Sequence, residues 1–156
     1  MIKVIRKKTL ILVSIILLIV VATIVIVATV PQYYTNNGIG IERSWNISLP
    51  NGMVRVTHQE KTNFTGEGSR YNLYRLKKPS PEFESSLNPK SNANEKKIFE
   101  SEFNSVYIDT GLSIDTEHLP NWSQDYRYKS ITDFDRILYM VYFLENRYLV
   151  ILEIMK

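Results

Sequence analysis

Four sets of side chains in this 156-residue sequence have the types and spacing to do chemistry. Asp109-Thr110-Gly111, preceded by the apolar pair Tyr107 and Ile108, is the sharpest candidate for acid catalysis. Asp109, Asp115 and Glu117 together, or Asp133 with Asp135, offer oxygen ligands for a hard cation such as calcium. His58 and His118 are the only imidazoles, and without cysteine a zinc site would have to recruit scattered carboxylates. Trp122, Tyr126 and Tyr128 alternate with Asp125, Arg127 and Lys129, a mixture that, if exposed, has the composition of a recognition surface.

Each set has a plainer reading. Asp109-Thr110-Gly111 resembles the catalytic turn of aspartic proteases over three residues, which implies Asp109 as a catalytic acid. Leu112 stands where that family usually has Ala or Ser, and no second apolar-apolar-Gly segment supports the turn. A capped turn after a helix explains the triplet better. Neither acidic set matches the spaced calcium loop with its distal Glu, and acids in loops are ordinarily solvated. His58 reads as a strand residue. The aromatics read as core, with their charged neighbours in water. Phosphate-binding glycine loops, Ser-centred hydrolase signatures and thiol nucleophiles are absent, so no catalytic, metal or cofactor residues are assigned and a non-catalytic role is expected.

The elements that must hold these residues begin with an apolar run from Thr9 to Val30, which contains no charge, Gly or Pro. At about 1.5 Å per residue it would extend roughly 33 Å as a helix, matching a hydrocarbon core of about 30 Å. Lys3, Arg6, Lys7 and Lys8 precede it and no cation follows within ten residues, which by the positive-inside rule places residues 1–8 in the cytoplasm. The expected layout is a transmembrane helix at 9–30, a stalk at 31–40 and an extracytoplasmic domain at 41–156. The run is longer than the apolar core of a signal peptide, so an uncleaved anchor is favoured over cleavage after Ala22 or Ala28.

Charge placement removes one class of function. Four of the 19 Lys and Arg precede the run, so 15 face the 16 Asp and Glu beyond it. A head so close to neutral lacks the basic face of a nucleic-acid binder. The absence of cysteine fits a bacterial surface better than a disulfide-forming secretory pathway. The sequons at Asn46, Asn63 and Asn121 are attributed to chance.

Within the head, Ile41, Trp45, Ile47 and Leu49 share one parity and predict a half-buried strand, with Asn51-Gly52 as a hairpin turn into a second strand, Met53 to Gln59. Glu60 to Gly68 is expected to be a loop and Arg70 to Leu76 a third strand. Ser80 and Pro81 predict a short helix ending near Leu87. A second helix, capped by Asn94, turns Ile98, Phe99, Glu102, Phe103 and Val106 toward a sheet, and Tyr107 to Pro120 is expected to be irregular. Gln124 to Ile131 predicts a strand. Ile137 to Leu144 and Tyr148 to Met155 are apolar on both parities apart from Glu153, so they predict a central hairpin covered on both faces. The fold class is a single N-terminal transmembrane helix followed by a small α+β domain with a mostly antiparallel sheet.

These features describe a membrane-anchored extracytoplasmic protein that binds a protein or cell-surface partner. The layout also resembles that of pilins, which place an apolar helix after basic residues and an antiparallel sheet in the head, and this would imply an assembly subunit. Lys8-Thr9-Leu10-Ile11-Leu12 lacks that family's Gly-Phe cleavage site and has Leu12 where the family carries an acid. An exported enzyme of unfamiliar type is the third reading.

Overall fold

The computed structural model describes residues 14–25, 38–63, 67–88 and 92–155. From residue 38 onward the architecture is a five-stranded antiparallel sheet with helices on both faces. Its strands are β1 (Met53–Thr62), β2 (Gly68–Leu76), β3 (Tyr126–Asp133), β4 (Arg136–Phe143) and β5 (Tyr148–Met155), in the spatial order β1-β2-β5-β4-β3. The helices are α1 (Ile39–Trp45), α2 (Pro81–Ser86) and α3 (Ala93–Thr110), followed by a 3-10 turn at Thr116–His118.

The β4–β5 hairpin is the centre of the domain, because both of its faces are apolar and both must be covered. On one face Leu138, Met140, Tyr142, Leu149 and Ile151 pack under Ile41 and Trp45 of α1 and under Phe83 and Leu87. On the other, Tyr139, Val141, Phe143, Val150 and Leu152 pack against Phe99 and Phe103 of α3. Burial of each such side chain contributes about 1.5–3 kcal/mol. β5 lies between β2 and β4, so the last strand in the chain holds the first hairpin to the final meander.

The segment expected as the first strand is helical. Ile41 and Trp45 are one helical turn apart and both are buried, and Asn46, at φ 49°, ends α1 in the left-handed conformation. A spacing of four residues satisfies both a period of two and a period near 3.6, so Ile41, Trp45 and Leu49 fit either element. Asn51-Gly52 does form a turn, with Gly52 at φ 74°, but it leads an extended connection into β1 rather than joining paired strands. β1 continues past Gln59, since Glu60 pairs with Arg70 and Thr62 with Gly68. Glu60, Lys61, Thr62 and Gly68, at the two ends of the expected loop, therefore belong to the ladder.

α3 is longer than expected and starts earlier. Its cap is Asn92, whose Oδ1 accepts from the backbone N–H of Asn94 and Glu95 while Glu95 accepts from the Asn92 N–H, a reciprocal capping box. Asn94 lies inside the first turn. The helix runs to Thr110, with Gly111 at φ 61° as its left-handed cap. Its buried side is Phe99, Phe103 and Thr110, whereas Ile98 is exposed. α2 has Pro81 in its first turn, but the Ser80 side chain makes no cap bond.

Residues 14–25 are helical, and their apolar side chains are exposed all round. Thr23 Oγ1 donates to the Ile19 carbonyl at 2.8 Å, so its hydroxyl is satisfied within the helix. Twelve helical residues extend about 18 Å, and among the described residues no helix is long and apolar enough to cross a membrane. The remainder of the expected 9–30 span and residues 31–37 of the expected stalk lie outside the described residues. Gly38, at φ 73°, caps α1, so Ile39 and Gly40 of the expected stalk belong to that helix.

Candidate functional site

A polar pocket lies on the α1 side of the sheet, and a β-bulge builds it. The β1–β2 register shifts between Arg55 and Thr57, after which His58 pairs with Asn72 and Glu60 with Arg70, while Arg55 pairs with Tyr74. In a regular strand Arg55 and His58, three residues apart, would point to opposite faces. The residue added at the bulge puts Arg55, His58 and Glu60 on one face. β5 completes the row, with Ile151 opposite Asn72 and Glu153 opposite Arg70.

The pocket has a volume of about 260 Å³ and is lined on the sheet side by Arg55, His58, Glu60, Arg70, Asn72, Tyr74 and Glu153 and on the helix side by Gly38, Gly40, Ile41 and Ser44. Its floor is buried and polar, with Asn72 and Glu153 each 4% exposed. Glu153 Oε1 accepts from Trp45 Nε1 at 2.7 Å, which ties α1 to the central strand. His58 Nδ1 lies 2.8 Å from Asn72 Oδ1, and its Nε2 lies 3.6 Å from Glu60 Oε2. Arg70 Nε donates to Glu60 Oε1 at 2.9 Å. Arg55 makes no ion pair among the described residues. The Tyr74 hydroxyl feels both Arg55 and Glu153: burial pushes its pKa up to about 12, Arg55 opposes the rise and Glu153 adds to it.

The residues singled out by sequence are placed elsewhere. Asp109 is exposed in the last turn of α3, Thr110 Oγ1 donates to the Tyr107 carbonyl, and Gly111 is the helix cap, so the triplet forms a helix end. Asp115 and Glu117 flank His118 on the 3-10 turn at 4.0 and 3.7 Å. Asp133 pairs with Arg136 across the β3–β4 turn, and Asp135 is exposed. Among the described residues no three acids, histidines or cysteines come together to hold a metal ion. The two histidines are on separate parts of the domain, His58 in the pocket wall and His118 on the turn.

The aromatic set belongs to the α3–β3 packing. Tyr126 and Tyr128 are 2% and 7% exposed. Trp122 is half-buried against Phe99, Phe103, Tyr126 and Phe143, and its Nε1 donates to Asn104. Tyr126 donates to Glu100 at 2.7 Å, and burial together with that carboxylate holds its pKa well above the usual tyrosine range. Lys96 lies 4.6 Å over the Tyr126 ring and 3.3 Å from Asp125. All three sequon asparagines have local roles: Asn46 ends α1, Asn63 Oδ1 accepts from the Glu67 N–H while its amide donates to the Glu67 carboxylate, and Asn121 Oδ1 accepts from the N–H and hydroxyl of Ser123.

Sequence reading missed Arg55, Asn72, Tyr74 and Glu153. One signal was available, since Glu153 is the lone acid in a strand that is otherwise apolar on both faces. Buried carboxylates are rare unless paired or functional. Compared with protein-family models, curated proteins and solved structures, the chain has no significant match in any of the three.

Proposed function

We propose that this chain is a membrane-anchored extracytoplasmic binding module, non-catalytic, whose pocket under α1 takes up a small polar ligand. The observation that carries this reading is the pocket floor. Buried polar groups that converge on a cavity carry a desolvation cost that a ligand can offset. Its volume of about 260 Å³ lies just under the usual range of about 300–1,000 Å³ for small-molecule sites, which points to a small occupant. His58 is engaged by Asn72 and Glu60 by Arg70, so the wall positions groups rather than activating one.

The anchor is supported by the Thr9 to Val30 run, by the four cations on its N-terminal side, and by the all-round apolar exposure of residues 14–25. A helix apolar on every side needs lipid or protein around it.

The test uses the full chain in detergent micelles, with ligand-observed NMR on mixtures of small charged and polar compounds. Binding is expected for the parent and loss of binding for Ser44→Trp, which fills the pocket mouth. Equal binding by both proteins, or none by the parent, would overturn the pocket assignment. In intact spheroplasts, added protease is expected to digest the head and leave the N-terminus protected.

A further inference from the structure

We infer that the pocket is selective for a small zwitterion of the α-amino-acid type, whose carboxylate is taken by Arg55 and whose ammonium is taken by Glu153. This rests on the binding reading above. Each charge lacks what the other end of such a ligand carries. Glu153 is 4% exposed, and among the described residues it accepts from the neutral Trp45 indole and makes no ion pair, so its carboxylate has acceptor capacity for a cation. Arg70 is opposite Glu153 in the ladder, but its Nε is held by Glu60. A buried carboxylate without a charged partner is costly, and an ammonium is the natural remedy.

Arg55 is the complementary case. It carries a planar fork suited to a carboxylate, lines the same cavity, and makes no ion pair among the described residues. The Tyr74 hydroxyl lies within the field of both groups, and all three line the same cavity. The lining holds Arg55 and Arg70 against Glu60 and Glu153. With cations and anions balanced, a simple anion meets the carboxylates and a simple cation meets the guanidiniums. A dipolar ligand satisfies both at once.

Calorimetry on the full chain in micelles tests this with L-alanine, L-alaninamide, N-acetyl-L-alanine and propionate. L-alanine is expected to bind, and each of the others to bind at least about tenfold more weakly, the size of one lost charge-assisted hydrogen bond. Glu153→Gln, which keeps an acceptor for Trp45, is expected to weaken L-alanine about tenfold and leave N-acetyl-L-alanine unchanged. Arg55→Gln is expected to do the same with L-alaninamide as the unchanged ligand. Thermal melts confirm that both variants fold. Affinities within twofold across the four compounds, or a preference for propionate, would overturn the inference. If none of the four binds while compounds in the NMR mixtures still do, the ligand class is wrong and the pocket reading stands; if nothing binds, both fail.

Discussion

At the residue scale, five buried tyrosine hydroxyls stand out among the described residues. Tyr71, Tyr74, Tyr126, Tyr139 and Tyr142 all have their pKa raised above 10.0, with burial as the largest cause in each case. Tyr126 and Tyr139 also donate to Glu100 and Glu102, which favours the neutral phenol further. A raised folded-state pKa means that the neutral form is preferred in the native protein. The associated stability is fully present below the unfolded value near 10 and is lost as pH rises through the folded value. For Tyr74 that window runs from 10.0 to about 12. Melting temperature is therefore expected to fall steeply from pH 10 to 12, and Tyr74→Phe to reduce the slope without abolishing it. Thermal melts by circular dichroism between pH 9 and 12 measure this, and an unchanged slope in the variant would place Tyr74 in the ordinary range.

At the element scale, caps and turns decide boundaries that hydrophobic periodicity leaves open. Asn92 and Asn94 are both plausible caps by residue type, but only Asn92 stands three residues before Glu95 and closes the reciprocal bonds. Asn92→Ala is expected to cost about 1 kcal/mol, within the usual 0.5–2 for a cap, and Asn94→Ala a few tenths at most. Urea denaturation separates the two. The β3–β4 turn carries a different cost. Phe134 has φ 53° and is fully exposed, so it adopts a left-handed conformation without packing to offset it. That conformation costs a side-chain-bearing residue about 1–2 kcal/mol. Phe134→Gly is expected to stabilise the domain by about 0.5–1 kcal/mol once the greater freedom of unfolded glycine is subtracted. The same logic explains the misread first element: α1 and a strand bury the same residues, Ile41 and Trp45, and what selects the helix is the stop at Asn46 together with the Trp45–Glu153 bond to a strand far along the chain.

At the scale of the whole molecule, one hairpin holds two cores. Val141 and Val150 are opposite each other in β4 and β5, at 0% and 1% exposure, on the face covered by α3. An isolated carboxylate there costs several kcal/mol, against a total domain stability of about 5–15 kcal/mol. Val141→Asp or Val150→Asp is expected to abolish the cooperative thermal transition of the full chain. Ser101→Asp, exposed on α3, is expected to change stability by under about 0.5 kcal/mol. Glu95 and Lys96 are poor controls despite their charge, because one completes the capping box and the other packs on Tyr126. Parent-like melting of both valine variants would mean that this hairpin is peripheral.

The sequence by itself determined the central hairpin, the β3 segment, the two later helices and the α+β class. Those follow from periodicity and turn chemistry within a short window: a strand apolar on both parities has to be covered twice wherever it lies. The pocket was decided by tertiary structure alone. Arg55 shares a face with His58 and Glu60 only because the ladder with β2 adds a residue at the bulge, and no local pattern marks which residue is extruded. Glu153 meets Trp45, and lies opposite Arg70, only because β5 inserts between β2 and β4. The aromatic cluster around Trp122 has the same composition whether it faces solvent or α3, and packing against Phe99 and Phe103 is what makes it interior. Composition specifies what a residue can bind. The neighbours supplied by the fold decide whether that capacity is used inside the protein or left for a ligand.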